Sequence, residues 1–270
     1  MIFRECACRS ILSPSKIPGV EYAINPYVGC GHGCLYCYAV FMKRFTGHSE
    51  PWGQFVDVKV NGPQQLQREL RRARPGQILL SSVTDPYQPA EKRYGVTRAC
   101  LEVLEQDRLS TTILTKSALV TRDLDLLKDM KTVDVGFTVT TLDEEVKTIF
   151  EPRSSPVRER FRAIRLLSDA GIKTWIFFGP VLPYFSDREE TLDRLFAKAE
   201  ESGADHVLID RMNLYPEVWK RIQALLMVGY PDILAYYSRV KNEKKRYSEF
   251  LRQRVRKVAR RHHIQCRTVF

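Results

Sequence analysis

The sequence predicts an α/β chain with a mostly parallel sheet, and three observations carry that expectation. Short runs rich in Val, Ile, Thr and aromatic residues alternate six times with amphipathic stretches. The 270 residues, 44% of them hydrophobic, are enough to bury a sizeable core. No Gly/Ser/Pro-rich linker divides them, so a single domain over residues 1–270 is expected. Residues 1–20 read as an N-terminal extension and residues 239–270 as a basic C-terminal helical segment.

Residues 21–28 (EYAINPYV) form the first expected strand, followed after a cysteine-bearing loop by a helix over 63–74. The second strand lies at 77–83 (QILLSSV) before a helix over 96–106, and the third at 110–115 (STTILT) before 121–130. The fourth, 133–140 (VDVGFTVT), precedes a helix over 156–170. The fifth, 173–178 (KTWIFF), precedes 187–202, and the sixth, 206–209 (HVLI), precedes 216–228. Strand–helix units in series imply parallel strands joined by crossovers. Gly171, after the apolar run Phe161, Ile164, Leu167, suits a left-handed helix C-cap. Asp187 with Glu190 is compatible with a capping box for the next helix.

Charge divides the chain unevenly. The formal net charge is +11, and the stretch from Arg239 to Arg267 holds twelve Lys and Arg against Glu243 and Glu249. Residues 1–238 are nearly neutral. The composition excludes a disordered tail, a collagen and a small disulfide scaffold. Seven cysteines is an odd number, and the opening MIFRECACRS has no apolar core of a secretion signal, so a cytoplasmic, reducing location is expected. No run of about 18 apolar residues is present, which argues against a membrane partner.

In open parallel sheets, chemistry collects at the carboxyl ends of strands. There lie the cysteines after the first strand, Thr84-Asp85 after the second, Lys116-Ser117 after the third, Thr140-Thr141 after the fourth and Gly179-Pro180 after the fifth. The stretch G-C-G-H-G-C-L-Y-C-Y sets Cys30, Cys34 and Cys37 in a C-x3-C-x2-C loop. Soft thiolates select iron–sulfur clusters, zinc or Cu(I). A structural zinc wants a fourth ligand, usually from a second C-x2-C pair, and none exists here. His32 would have to strain the loop to serve. Three cysteines on a 4Fe–4S cluster leave one iron open to a substrate or cofactor.

The pattern resembles the radical S-adenosylmethionine (SAM) superfamily, whose signature is C-x3-C-x-aromatic-C after the first strand of a partial TIM-type (β/α)6 barrel. Cys30, Cys34, Tyr36 and Cys37 match it. I-N-P-Y-V-G-C-G-H-G-C-L-Y-C-Y-A, S-V-T-D-P-Y-Q-P-A-E, L-T-K-S and E-P before R-F-R-A-I look like its spore photoproduct lyase-related, DNA repair photolyase-like branch. The resemblance spans most of residues 10–210. It implies a 4Fe–4S cluster on Cys30, Cys34 and Cys37, and an electron donor such as flavodoxin or ferredoxin. SAM would be cleaved reductively to a 5′-deoxyadenosyl radical that takes a hydrogen atom from the substrate.

The same resemblance places Tyr36 beside the cluster with backbone contacts to adenine. Thr84 and Asp85 would meet the methionyl ammonium, Lys116 its carboxylate, and Thr138 and Thr140, on one strand face, the carboxylate or ribose. The Glu151 carboxylate would face the site. Each has a plainer reading: Asp85 as a turn former, Lys116 as a solvated lysine, the threonines as ordinary strand residues, Glu151 as a loop acid before Pro152 and Arg160 as helix decoration. Ser82 stands where the photoproduct lyase carries its hydrogen-donating cysteine. A serine O–H bond is too strong for that role, so either another donor exists, with Tyr38, Tyr36 and Cys266 as candidates, or the protein does not catalyse that reaction. Cys6 and Cys8 read as free thiols.

From Lys241 to His263 the chain sets Tyr247, Phe250/Leu251, Val255 and Val258 at helical spacing, so one face docks and the basic face is free. That face suits either phosphate contacts or plain solvation. The expected function is a radical SAM enzyme acting on a nucleic acid or nucleotide-containing substrate. The alternatives are modification of a peptide or small metabolite, and a non-catalytic metal-binding, nucleic-acid-associated protein.

Overall fold

The computed structural model describes residues 1–107 and 109–270. The chain opens with strands β1 (Ile2–Cys6), β2 (Leu12–Pro14), β3 (Tyr22–Ile24) and β4 (Tyr27–Val28). β5 (Phe55–Lys59) and α1 (Gly62–Leu70) lead to β6 (Gln77–Leu80), α2 (Glu91–Tyr94) and α3 (Val96–Glu105). β7 (Ser110–Thr115) and α4 (Leu124–Asp129) come next, then β8 (Val133–Thr138) with α5 (Glu144–Phe150) and α6 (Val157–Asp169). β9 (Lys173–Val181), α7 (Glu189–Ser202), β10 (His206–Arg211) and α8 (Pro216–Gly229) continue the alternation. It closes with α9 (Leu234–Asn242), α10 (Lys244–Ala259) and β11 (Gln265–Thr268).

Eight strands make the main sheet in the order β11-β10-β9-β8-β7-β6-β3-β2. Seven run parallel and β2 is antiparallel to β3. β2 and β11 remain as edges, so the fold is the expected α/β partial barrel, open rather than closed. Parallel strands need cover, and the sheet residues Ile113, Val135 and Ile176 share a buried core with Leu101, Ile164 and Leu195 of the helices. Five of the six expected strands and all six helices are present with shifted ends, whereas the first strand is split, β3 joining the main sheet and β4 pairing antiparallel with β5 in a separate three-stranded sheet. Gly171 takes φ +82° just beyond α6, as a left-handed C-cap requires.

Four features depart from the sequence reading. Residues 1–20 are woven in, with β1 parallel to β5 and β2 paired to β3. β5 and α5 were not anticipated, although Asp143 caps α5 by accepting from the Glu145 and Val146 amides. Asp187 caps nothing: α7 starts after Arg188, and the Asp187 carboxylate instead accepts from the phenols of Tyr236 and Tyr247 at 2.9 and 3.1 Å. The basic segment is not one helix, because the chain breaks at Glu243 between α9 and α10 and ends in β11, which pairs with β10. α10 does bury Tyr247, Leu251, Val255 and Val258, while Phe250 stays outside. No helix among the described residues is long and apolar enough to cross a membrane.

Candidate active site

The strand ends surround a cavity of about 370 Å³, and Cys30, Cys34 and Cys37 all lie on its wall. All seven cysteines are free thiols. The loop is held by its own backbone, with the Gly33 amide donating to the Cys30 carbonyl and the Cys37 amide to that of Cys34, both at 3.3 Å. Gly33 needs its φ of +65°, and its backbone packs so closely on Gly53 that a Cβ on Gly53 would lie 2.6 Å from the Gly33 Cα. The Arg153 side chain donates to the Gly31 and Gly53 carbonyls and so ties the two turns together. Gln88 receives the Gly31 amide at 2.6 Å, and its own amide donates to the Gly29 carbonyl at 3.2 Å.

Behind this loop lies a buried ion pair. Glu151 is fully buried and accepts from the Tyr36 phenol, from Thr140 Oγ1 at 2.9 Å, from Ser154 Oγ at 3.1 Å and from the Arg160 guanidinium. Arg160 donates further to the Thr138 carbonyl at 2.7 Å and the Ser155 carbonyl at 3.0 Å. Burial alone would raise the Glu151 pKa, but Arg160, Lys116 and the Tyr36 hydrogen bond hold it down to about 2. The Leu35 amide reaches the Phe150 carbonyl at 2.9 Å, so the E-P-R-S-S-P stretch backs the cysteine loop.

These contacts correct two expected cofactor contacts. Glu151 and Thr140 are not on the cavity wall; they engage each other behind it. β8 ends at Thr138, so the alternation that would have kept Thr138 and Thr140 on one face stops there, and only Thr138 lines the cavity. Thr84 lines the cavity, yet its hydroxyl donates to the Gly29 carbonyl at 2.6 Å and braces the loop. Asp85 is buried and accepts from Thr115 Oγ1 at 2.7 Å, the Lys116 amide at 2.8 Å and the Tyr87 amide at 3.0 Å, the last being the turn role. Burial would raise Asp85, but His32, 3.4 Å away, Lys116 and Thr115 hold it far below the usual carboxylate range.

Lys116 is half-buried on the cavity wall, with its ammonium 5.9 Å from the Tyr36 ring centroid. Burial opposes its charge, while Cys34, Glu151 and Asp85 outweigh burial and keep it protonated. Ser82 accepts from the Asn25 amide at 3.2 Å, and its carbonyl receives the Tyr38 phenol. Tyr38 and Ser82 both line the cavity, whereas Cys266 lies on the edge strand β11, away from its wall. The buried Ser81 adopts φ +73°, a strained geometry for a non-glycine residue at a strand exit.

Sequence reasoning missed the far wall. Asp210, Arg211, Asn213 and Tyr215 line the same cavity from the loop after β10. The position was readable, because D-R-M-N-L-Y follows a predicted strand directly. Arg221 of α8 was also missed; it donates to the Cys34 carbonyl at 2.8 Å.

A cavity rich in ionisable groups thus lies at the carboxyl ends of an open parallel sheet, with a three-cysteine loop on its wall, the place where α/β enzymes bind their ligands. The match to the Radical SAM superfamily covers residues 24–196, and the chain belongs to that family. It is a radical SAM enzyme, and membership implies a 4Fe–4S cluster and SAM. An uncharacterized protein of Methanocaldococcus jannaschii is 39% identical over 66% of this chain and 67% of its own length. An uncharacterized Mycobacterium tuberculosis protein is 30% identical over 94% of this chain and 78% of its own. Among solved structures, spore photoproduct lyase complexed with dinucleoside spore photoproduct superimposes with a TM-score of 0.74 at 17% identity, covering 99% of this chain and 82% of that one. That likeness shows the fold.

The residues present fit the cluster. Burial pushes the Cys34 thiol up to about 12 and raises Cys30 and Cys37, while the Lys116 cation works against burial at Cys34 and Cys37 and favours their thiolates. Trp52 Nε1, on the same wall, is buried with no hydrogen-bond partner, a donor that a sulfide or thiolate would satisfy. No trio of His, Cys, Asp or Glu among the described residues is gathered as a single metal ion would require. A 4Fe–4S cluster asks for something else, one thiolate at each of three corners.

Proposed function

We propose that Cys30, Cys34 and Cys37 ligate a 4Fe–4S cluster and that the enzyme acts on a nucleic acid or nucleotide-containing substrate. The observation that carries the reading is the convergence of three free thiols and the charged Lys116 on one cavity. When bound, the cluster supplies the electron that splits SAM into methionine and the 5′-deoxyadenosyl radical. Lys116 holds the methionyl carboxylate, as a lone charged ammonium on the wall suits. Asp85 fixes the backbone from which Lys116 projects, Thr138 contributes a hydroxyl beside it, and the Tyr36 backbone faces the adenine. Glu151, Arg160 and Thr140 act as positioning residues through Tyr36. Tyr38, whose phenol reaches the Ser82 carbonyl, is the hydrogen-atom relay that Ser82 cannot be.

The nucleic-acid reading is supported by a ridge at the cavity mouth. Tyr38, Phe41 and Phe45 are exposed along the 3-10 helix Tyr38–Phe45 that follows the last cysteine, with Tyr38 and Phe41 stacked at 6.4 Å. The Arg44 guanidinium lies 5.5 Å from the Phe41 ring and 4.6 Å from that of Phe45. Exposed aromatics interleaved with cations are what unpaired bases stack on.

Anaerobic reconstitution with iron and sulfide tests the first part. Wild type should take up about four irons per chain and release 5′-deoxyadenosine on reduction with SAM. The Cys30→Ala/Cys34→Ala/Cys37→Ala variant should do neither, and equal product from both would overturn the reading. For the substrate, Phe45→Ala should weaken binding of a single-stranded oligonucleotide about tenfold. Truncation before Arg239 is not a usable test, since it removes a paired strand and a docked helix.

A further inference from the structure

A second, smaller hollow of about 90 Å³ adjoins the cavity and shares Arg211, Asn213 and Tyr215 with it. Its other side is formed by Val240, Lys241 and Lys244, where α9 passes into α10. Three cationic residues therefore line a space of phosphate size. Arg211 Nε is buried without a hydrogen-bond partner, and its Nη1 makes only a 3.5 Å contact to the Met212 carbonyl. The Lys241 ammonium rests 4.9 Å from the Trp219 ring, and among the described residues neither Lys241 nor Lys244 has an ion pair. Glu243, which stands between them in sequence, is engaged by Arg246 at 2.9 Å.

The other groups around Arg211 are Asp210 on the cavity wall, Arg252 behind it, the phenols of Tyr215 and Tyr247, and the Phe270 ring 6.0 Å away. Asp210 lies beside Arg211 and Lys244, a single carboxylate against three cationic side chains. Like cations brought together around an unpaired donor are stabilised by an anion.

We infer that this hollow is a phosphate subsite. Arg211, Lys241 and Lys244 hold a phosphomonoester or phosphodiester group of the substrate, while the attached sugar and base enter the main cavity past Asn213 and Tyr215. The inference rests on the nucleotide reading above and specifies where the substrate's charge is held.

Calorimetric titration of the full chain with thymidine 5′-monophosphate, thymidine and inorganic phosphate tests it. The monophosphate should bind at least tenfold more tightly than thymidine. Lys241→Gln/Lys244→Gln and, separately, Arg211→Gln should each erase most of that difference, with circular dichroism reporting the fold. Lys245→Gln, which removes an exposed neighbouring charge outside the hollow, should leave the difference intact. Equal binding of thymidine and its monophosphate by wild type would sink the subsite and leave the nucleotide reading standing. An equal loss in Lys245→Gln would also overturn the subsite, as diffuse charge. Binding of inorganic phosphate that depends on Lys241 and Lys244, with no binding of thymidine in any form, would keep the anion subsite and overturn the nucleotide reading.

Discussion

The two walls of the cavity are built on opposite plans. On the cysteine side the carboxylates are consumed internally: Glu151 takes four donors, Asp85 takes three, and Thr84, Gln88 and Arg153 are occupied with loop carbonyls, while Trp52 Nε1 and Ser81 Oγ stay without partners. On the β10 side, Arg211 keeps an unpaired buried donor, and neither Lys241 nor Lys244 has an ion pair among the described residues. Carboxylates already bonded keep that wall arranged, which suits a centre that must hold one cofactor in one pose. An unsaturated wall keeps its hydrogen-bonding capacity for a ligand that comes and goes.

Substitutions should expose that contrast. Glu151→Gln leaves Arg160 buried without its counter-ion and should destabilise the protein by about 3–5 kcal/mol in urea denaturation. Acid should act on the same pair with a defined window. A carboxyl whose folded pKa lies below its unfolded value stabilises above the unfolded value, so stability should fall as pH drops from about 4.5 towards about 2. Glu151→Gln should flatten that slope. Gly33→Ala forces a side chain into φ +65° against Arg153 and should cost about 1–2 kcal/mol, with reduced iron uptake on reconstitution. Arg211→Gln, on the receptive wall, removes an orphaned charge and should change stability by less than about 0.5 kcal/mol. A loss as large as that of Glu151→Gln would erase the distinction between the walls.

What the sequence made legible follows the same division. The parallel strands and the cysteine loop were readable because buried strands are dense in β-branched residues and a thiol trio is chemically specific. Placing Thr140 and Glu151 on the cavity was the natural error: strand alternation and motif position say nothing about a carboxylate turned inward to an arginine. Arg160 is a buried partner because α6 presents it to the sheet side, a fact its sequence R-E-R-F-R does not distinguish from surface charge. β11, Q-C-R-T, was invisible because it is an exposed edge strand with no apolar face to mark it. The loop after β10 was passed over although its place at a strand exit was informative.

The Asp187 carboxylate has a role beyond holding Tyr236 and Tyr247. Those phenols belong to α9 and α10, whose junction carries Lys241 and Lys244, and Asp187 stands just past the end of β9. One acid thereby ties the exit of β9 to the two helices whose junction lines the smaller hollow, like a single rivet through three plates.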